Sequence, residues 1–344
     1  MRPMRPSPTH ATSLAAVLTL AALAGCGGGS ATGSTARAAG ATNGAATTPV
    51  VHRSHPAPIA RLRVAGSRRL PAAVQLPAVA VVGGHLLAAG GLSAADSSVP
   101  DVVAVAGAGV PAPRRVGSLP QALHDIGGTA VGSRMLLFGG GSTSGSASSV
   151  LAVSPSGTVS TAGRLPVGVS DSAAATIGST AYLVGGYTGS VPLRSVLAYT
   201  PGQAALRDVA RLPHPLRYAA VAAVGGQLLI AGGTDGEHAQ RLILRFDPAS
   251  GRLRVIGRLP QALAHAAGAA LGGTFYVLGG RTDASAQVGT ILAVDPASGR
   301  VRTAGALPKP LSDLGAATLG GRIWIVGGRS SSGAAQDRAW ALAP

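Results

Sequence analysis

Six regularly recurring Leu-Pro pairs, six Gly-Gly pairs that follow them at one fixed offset, and a last repeat that lacks its final strand predict an all-β chain closed into a six-bladed β-propeller. The Leu-Pro pairs begin at 70, 119, 165, 212, 259 and 307, and the Gly-Gly pairs at 90, 139, 185, 232, 279 and 327. Every offset between them is 20, and copies recur every 46 to 49 residues. Chance does not hold such an offset through six copies, so the chain is an internal repeat.

Each copy predicts four short strands, a to d. Strand a is small and apolar, as in AAVAAVGG at 219–226. Strand b is QLLIAGG, AYLVGG or RIWIVGG, and strand c is VLAVSP, VLAYTP or ILAVDP. A turn such as DPASG at 247–251 leads into strand d, GRLRVIGRLP at 251–260. In that turn Pro presets φ and Gly accepts a positive one. Ala and Gly crowd strand a, as an innermost strand at a central axis requires. The last copy stops at RAWALAP, 338–344, with no strand d after it. The segment ARLRVAGSRRLP at 60–71 reads like the missing strand. Its insertion would complete the sixth blade and remove an exposed edge.

The doublet after strand b, the period near 50 and the four strands per copy resemble the kelch repeat. The resemblance covers residues 59 to 344. The kelch Trp of strand d is replaced by Leu206, Leu253 and Val301, and the Tyr after strand c survives as Tyr199 or Phe246. The resemblance implies an interaction domain whose strand-a starts touch ligand. It also brings to mind exported six-bladed sugar mutarotases.

The N-terminus is expected to be an address. Arg2 and Arg5 precede the apolar run Ser13–Gly25, too short to span a bilayer comfortably. The run ends in Leu23-Ala24-Gly25-Cys26, which resembles the bacterial lipobox. Cys26 is the single cysteine, placed where a lipid would be attached. The alternative is plain secretion with cleavage after the Ala22-Leu23-Ala24 triplet. Residues 27 to about 57 are low-complexity Gly, Ala, Ser and Thr, unable to bury enough surface to fold. The expected organisation is a signal peptide at 1–25, a lipidated Cys26 with a linker over 26–57, and a propeller over 58–344. Such a protein would be a bacterial lipoprotein, exported and held at the cell membrane facing outside the cytoplasm.

The 344 residues are 46% hydrophobic and only 3% aromatic, so the core must be Leu, Val, Ile and Ala. Net charge is +16, nearly all of it Arg, with Lys309 the single lysine. The charge could favour anionic partners or reflect an Arg- and Ala-rich composition. Without a basic run or aromatics to stack bases, nucleic acid is not expected.

Antiparallel order puts the d–a connections and the b–c loops on one face. At each strand-a start the paired positions are Gln75-Leu76, His124-Asp125, Ser170-Asp171, Arg217-Tyr218, Ala264-His265 and Ser312-Asp313. Five copies carry a polar residue at the second position. The b–c loops add Asp96, Tyr187, Asp235, Glu237, His238, Arg281, Asp283 and Arg329. These residues form the expected binding face, although strand starts and loops need polar turn formers in any case. A metal could be imagined from Asp125, Asp171, His265 and Asp313, but no HxH or HExxH spacing supports one. Neither metal nor cofactor is expected. No nucleophile triad follows from spacing, and Cys26 leaves no second cysteine for a Tyr–Cys crosslink.

The leading expectation is a monomeric, membrane-anchored binding module for an extracytoplasmic protein, peptide or glycan. The competing readings are an exported sugar mutarotase or epimerase, with His124, His265, Asp125 and Asp313 as acid–base groups, and a structural envelope protein without a small ligand.

Overall fold

Strands b carry unbroken apolar runs because both of their faces are buried. Leu86 and Leu87 are both fully buried, as are Phe275 and Leu278 in the fifth copy. A sheet covered on one side only would alternate. The computed structural model describes residues 60–203 and 206–344. The expected signal peptide, lipid-bearing Cys26 and linker lie outside the described residues.

Six four-stranded antiparallel sheets follow one another, with no helix among the described residues. Blade 1 holds Ala78–Val82, His85–Ala89, Val99–Gly107 and Arg114–Leu123. Blade 2 holds Gly127–Val131, Arg134–Phe138, Ser149–Val153 and Val159–Arg164. Blade 3 holds Ala173–Ile177, Thr180–Val184, Ser195–Tyr199 and Arg207–Arg211. Blade 4 holds Ala220–Val224, Gln227–Ala231, Leu242–Asp247 and Arg252–Arg258. Blade 5 holds Ala267–Leu271, Thr274–Leu278, Thr290–Val294 and Val301–Ala306. Blade 6 takes Gly315–Leu319, Arg322–Val326 and Gln336–Ala343 from the C-terminus and Arg63–Val74 from the N-terminus.

The N-terminal strand is the outermost of blade 6, as its likeness to the other d strands predicts. Its pairing runs from Arg63 opposite Ala343 to Val74 opposite Gln336, so it extends past the Leu-Pro where the sequence likeness ends. Just before it, Leu62 donates its N–H to Ala304 of blade 5 and is buried. This segment is thus tied to both blade 5 and blade 6.

The core is not one mass. Six apolar clusters each straddle two adjacent blades, one for each seam of the ring. Each strand presents alternate side chains to the blade before and the blade after. The Leu of each of the six repeated Leu-Pro pairs plugs into this layer, with Leu259 fully buried. Burying one such side chain contributes about 1.5–3 kcal/mol.

The Gly-Gly doublet has a seam-level cause. The second glycine donates its N–H to the next blade's d–a connection: Gly140 to Val169 at 2.8 Å, Gly186 to Leu216 at 2.8 Å, and equivalently at all six seams. The first glycine has positive φ, and a Cβ there would overlap that same carbonyl oxygen. Only glycine fits at that approach.

Dispersed arginines also take structural posts. Arg194 donates to the carbonyls of Leu212 and Pro213, and Arg241 does the same for Leu259 and Pro260.

Candidate functional site

The strand-a starts encircle the channel mouth, five of them linked by backbone hydrogen bonds. The second residue of every pair, Leu76, Asp125, Asp171, Tyr218, His265 and Asp313, has φ between 53° and 59°. Five of the six donate their N–H to the counterpart in the preceding blade, and the chain of bonds is open between Asp125 and Leu76. Asp171 donates to Asp125 (3.0 Å), Tyr218 to Asp171 (3.0 Å), His265 to Tyr218 (3.1 Å), Asp313 to His265 (3.0 Å) and Leu76 to Asp313. For a non-glycine residue this conformation costs roughly 1–2 kcal/mol. The inter-blade bonds offset part of that cost and hold the side chains in register.

The first residue of each pair bridges to the residue after the Gly-Gly doublet. The partners are Gln75 with Leu92, His124 with Gly141, Ser170 with Tyr187, Arg217 with Thr234, Ala264 with Arg281 and Ser312 with Arg329. The d–a connections and b–c loops therefore share a face, as antiparallel order requires.

Five ring side chains converge across blades. Asp171 accepts from Nε of Arg217 at 2.7 Å. The Arg217 guanidinium lies 4.1 Å over the Tyr187 ring and 5.3 Å from that of Tyr218. Tyr218 donates its hydroxyl to Asp125 (3.3 Å) and stacks on His265 with centroids 3.7 Å apart. His265 Nδ1 lies 2.5 Å from Asp313 Oδ1, and Ser312 donates to the other oxygen of that carboxylate. Arg281 Nη2 sits 2.7 Å from His265 Nε2.

These contacts settle the imidazole tautomer. Arginine only donates, so Nε2 of His265 accepts and the ring proton is on Nδ1, donated to Asp313. Burial pushes the His265 pKa down despite Asp313, which keeps the ring neutral. Burial alone would raise Asp313, but the hydrogen bonds from His265 and Ser312, with Arg281 nearby, hold it below the usual carboxylate range. Asp125 goes the other way. Its side chain is 6% exposed, and burial followed by the charges of Asp171 and Asp313 raises its pKa well above the ordinary value. Its Oδ1 is buried with no hydrogen-bond partner. Burial, then Asp125 and Asp171, push Tyr218 strongly upward, so its hydroxyl stays a donor.

Two cavities open on this network. The channel mouth, about 110 Å³, is lined by Asp125, Tyr218, His265 and Asp313 with small apolar neighbours. Beside it, a cleft of about 320 Å³ lies between Arg217 and Arg281, with Thr234, Thr282, Ser285 and Asp283 on its walls. Tyr218 and His265 belong to both cavities. Among the described residues no carboxylate lies within 4.0 Å of the Arg281 guanidinium.

Most other expected residues stand apart from this network, although His124 Nε2 lies 3.7 Å from Asp125 Oδ2 and Asp283 lines the cleft beside Arg281. Arg329 reaches Asp96 at 3.1 Å and Gln75 at 3.3 Å, a separate cluster where blade 6 meets blade 1. His124 pairs through Nδ1 with Ser98 at 2.8 Å, and burial lowers its pKa. Ser170 contacts Ser146. Asp235 accepts from the backbone of His238 and Glu237 within its own loop, which lowers its pKa, and Glu237 is exposed. Asp283 accepts from the backbone of Ala239 in the neighbouring loop.

Sequence reasoning named Gln75, which proves almost fully buried, and missed the hydroxyls of Thr234, Thr282 and Ser285. For Thr234 the available signal was its place directly after a Gly-Gly doublet, which Tyr187, Arg281 and Arg329 hold in other copies. Among the described residues no three His, Cys, Asp or Glu side chains converge as metal ligands. No protein-family model matches this chain, and no curated protein matches it.

Proposed function

We propose that this propeller is a binding module that captures a protein, peptide or glycan on the face of its d–a connections and b–c loops, lipid-anchored through Cys26 outside the cytoplasm. The observation that carries the reading is the cleft between Arg217 and Arg281. Its volume suits one sugar unit or one side chain. Its floor is the stacked Tyr218–His265 pair, held rigid by Asp125, Asp313 and the inter-blade backbone bonds. A guanidinium whose side-chain partner is a neutral imidazole keeps its charge for an incoming acceptor. The threonine and serine hydroxyls on the walls add orientation. Such a site binds by geometry set before the ligand arrives.

The lipobox-like Leu23–Cys26 supports the anchor. Metabolic labelling with a fatty-acid probe, lost in Cys26→Ser, tests it. The cleft is tested by capture on glycan arrays and peptide libraries with the wild type and Arg281→Gln. A charge-assisted bond to ligand predicts a loss of about tenfold or more. Equal capture by both proteins, or none by either, would remove this face as the binding site.

A further inference from the structure

Among the described residues, a share of the positive charge is gathered by the fold on the outermost strands. Every outermost strand exposes arginine: Arg63 on blade 6, Arg114 on blade 1, Arg164 on blade 2, Arg211 on blade 3, Arg254 on blade 4 and Arg302 on blade 5. The six strands together contain one acid, Asp208. None of these six arginines pairs with a carboxylate among the described residues. Because outermost strands form the circumference of a propeller, the arginines make a belt as broad as these strands, with Arg164 and Arg211 opposite the starts of their strands c and Arg63, Arg114, Arg254 and Arg302 opposite later residues.

Two register choices set arginines face to face, although one of each pair is also held elsewhere, Arg245 by the carbonyls of Pro296 and Ala297 and Arg69 by Asp337. Arg254 is directly opposite Arg245, and Arg69 is directly opposite Arg338. Like charges facing each other across a ladder are destabilising. At the first pair the outer edge of blade 4 opens into a polar cleft of about 280 Å³ lined by Gln227, Arg245, Asp247, Ser250, Arg252 and Arg254. Its one carboxylate is already engaged, since Asp247 accepts from the N–H of Ala249 and the hydroxyl of Ser250 in its own turn.

We infer that the belt binds a flexible linear polymer carrying a phosphate at each repeat, with the Arg245–Arg252–Arg254 cleft anchoring one of those groups. Guanidinium forks match tetrahedral oxyanions in geometry as well as charge. The shape of the belt selects among polyanions. A flat membrane or a straight duplex touches one arc of a ring, whereas a flexible chain can follow all six blades. This surface is independent of the cleft between Arg217 and Arg281.

The test titrates the full chain with fluorescently labelled long-chain linear polyphosphate between about 50 and 200 mM salt. Binding is expected to weaken at least about tenfold across that range, through counterion release. Arg252→Gln/Arg254→Gln should bind about tenfold more weakly, with a shallower salt slope and a melting temperature unchanged or raised by relief of the Arg245 opposition. Arg164→Gln/Arg302→Gln, on other blades, should also flatten the slope. Duplex DNA and anionic lipid vesicles should bind more weakly than polyphosphate. Absence of binding at about 50 mM salt, wild-type affinity in both variants, an effect confined to blade 4, or equal binding of duplex or vesicles would each overturn the inference.

Discussion

His265 Nδ1 lies 2.5 Å from Asp313 Oδ1, with the imidazole stacked on Tyr218 and its other nitrogen facing Arg281. A neutral ring donating to a carboxylate satisfies both partners, and its protonation would place a second cation beside Arg281. Since burial depresses the folded-state pKa of His265, this contribution to stability is full above the unfolded value of about 6.5 and is lost as pH falls through the folded value. His265→Gln cannot reproduce both bonds and should cost about 2 kcal/mol at neutral pH. It should also remove the acid-side slope that this residue adds. Urea unfolding of both proteins between about pH 5 and 8 reads both effects. A variant keeping the wild-type slope would refute the neutral assignment.

Asp125 makes the opposite pH prediction. Burial, reinforced by Asp171 and Asp313, raises its folded-state pKa above the unfolded value near 4. Its contribution is therefore full below about pH 4 and is lost as pH rises through the folded value. Asp125→Asn stays uncharged throughout and should gain stability relative to wild type as pH rises. The neighbours facing this carboxyl are Asp171, Asp313, Tyr218 and His124. Denaturant midpoints at a series of pH values measure the difference, and a constant gap would show that Asp125 is ionised like a surface acid.

The seams predict two very different glycines. At Gly139, φ is +63° and an added Cβ would strike the Val169 carbonyl of the next blade. At Gly225, in an a–b turn, φ is +58° but nothing lies within 4 Å. Gly225→Ala should cost about 1 kcal/mol, the left-handed penalty alone. Gly139→Ala adds displacement of the backbone at the seam and should cost about 3 kcal/mol or more. Equal losses in a thermal melt would mean that the doublet serves only local turn geometry.

The same bond explains why the architecture was legible. Each Gly-Gly must meet a carbonyl of the next d–a connection, as Gly186 meets that of Leu216, so the spacing within a copy cannot drift. The missing last strand was equally readable, since RLRV at 61–64 repeats RLRV at 252–255. The site was legible only in part. Polar residues at Asp125, Asp171, Tyr218, His265 and Asp313 marked the ring, but Leu76 adopts the same left-handed turn with no polar signal. The constraint there is a backbone bond to Asp313 in another blade, which leaves no trace in side-chain type. The pairing of His265 with Arg281 was similarly hidden, because it depends on which rotamers cross between two loops. The arginines shared by the outermost strands were not legible as a group, because these strands are far apart in sequence.

Ring closure gives the last prediction. Arg63–Val74 covers the edge of Gln336–Ala343, and Trp340 behind it is 6% exposed. A chain beginning at Pro71 would lose Leu62 and Leu70, two buried anchors. It would leave an unpaired ladder along a strand that includes Ala339, Trp340, Ala341 and Leu342, all buried in the closed ring. An exposed apolar edge of that length pairs with other chains. The truncated protein should therefore elute as oligomers in size-exclusion chromatography, and its tryptophan emission should shift to the red. It should also lose the single cooperative melt of the closed ring. A monomer melting within a few degrees of the full chain would show that five complete blades hold the ring without its clasp.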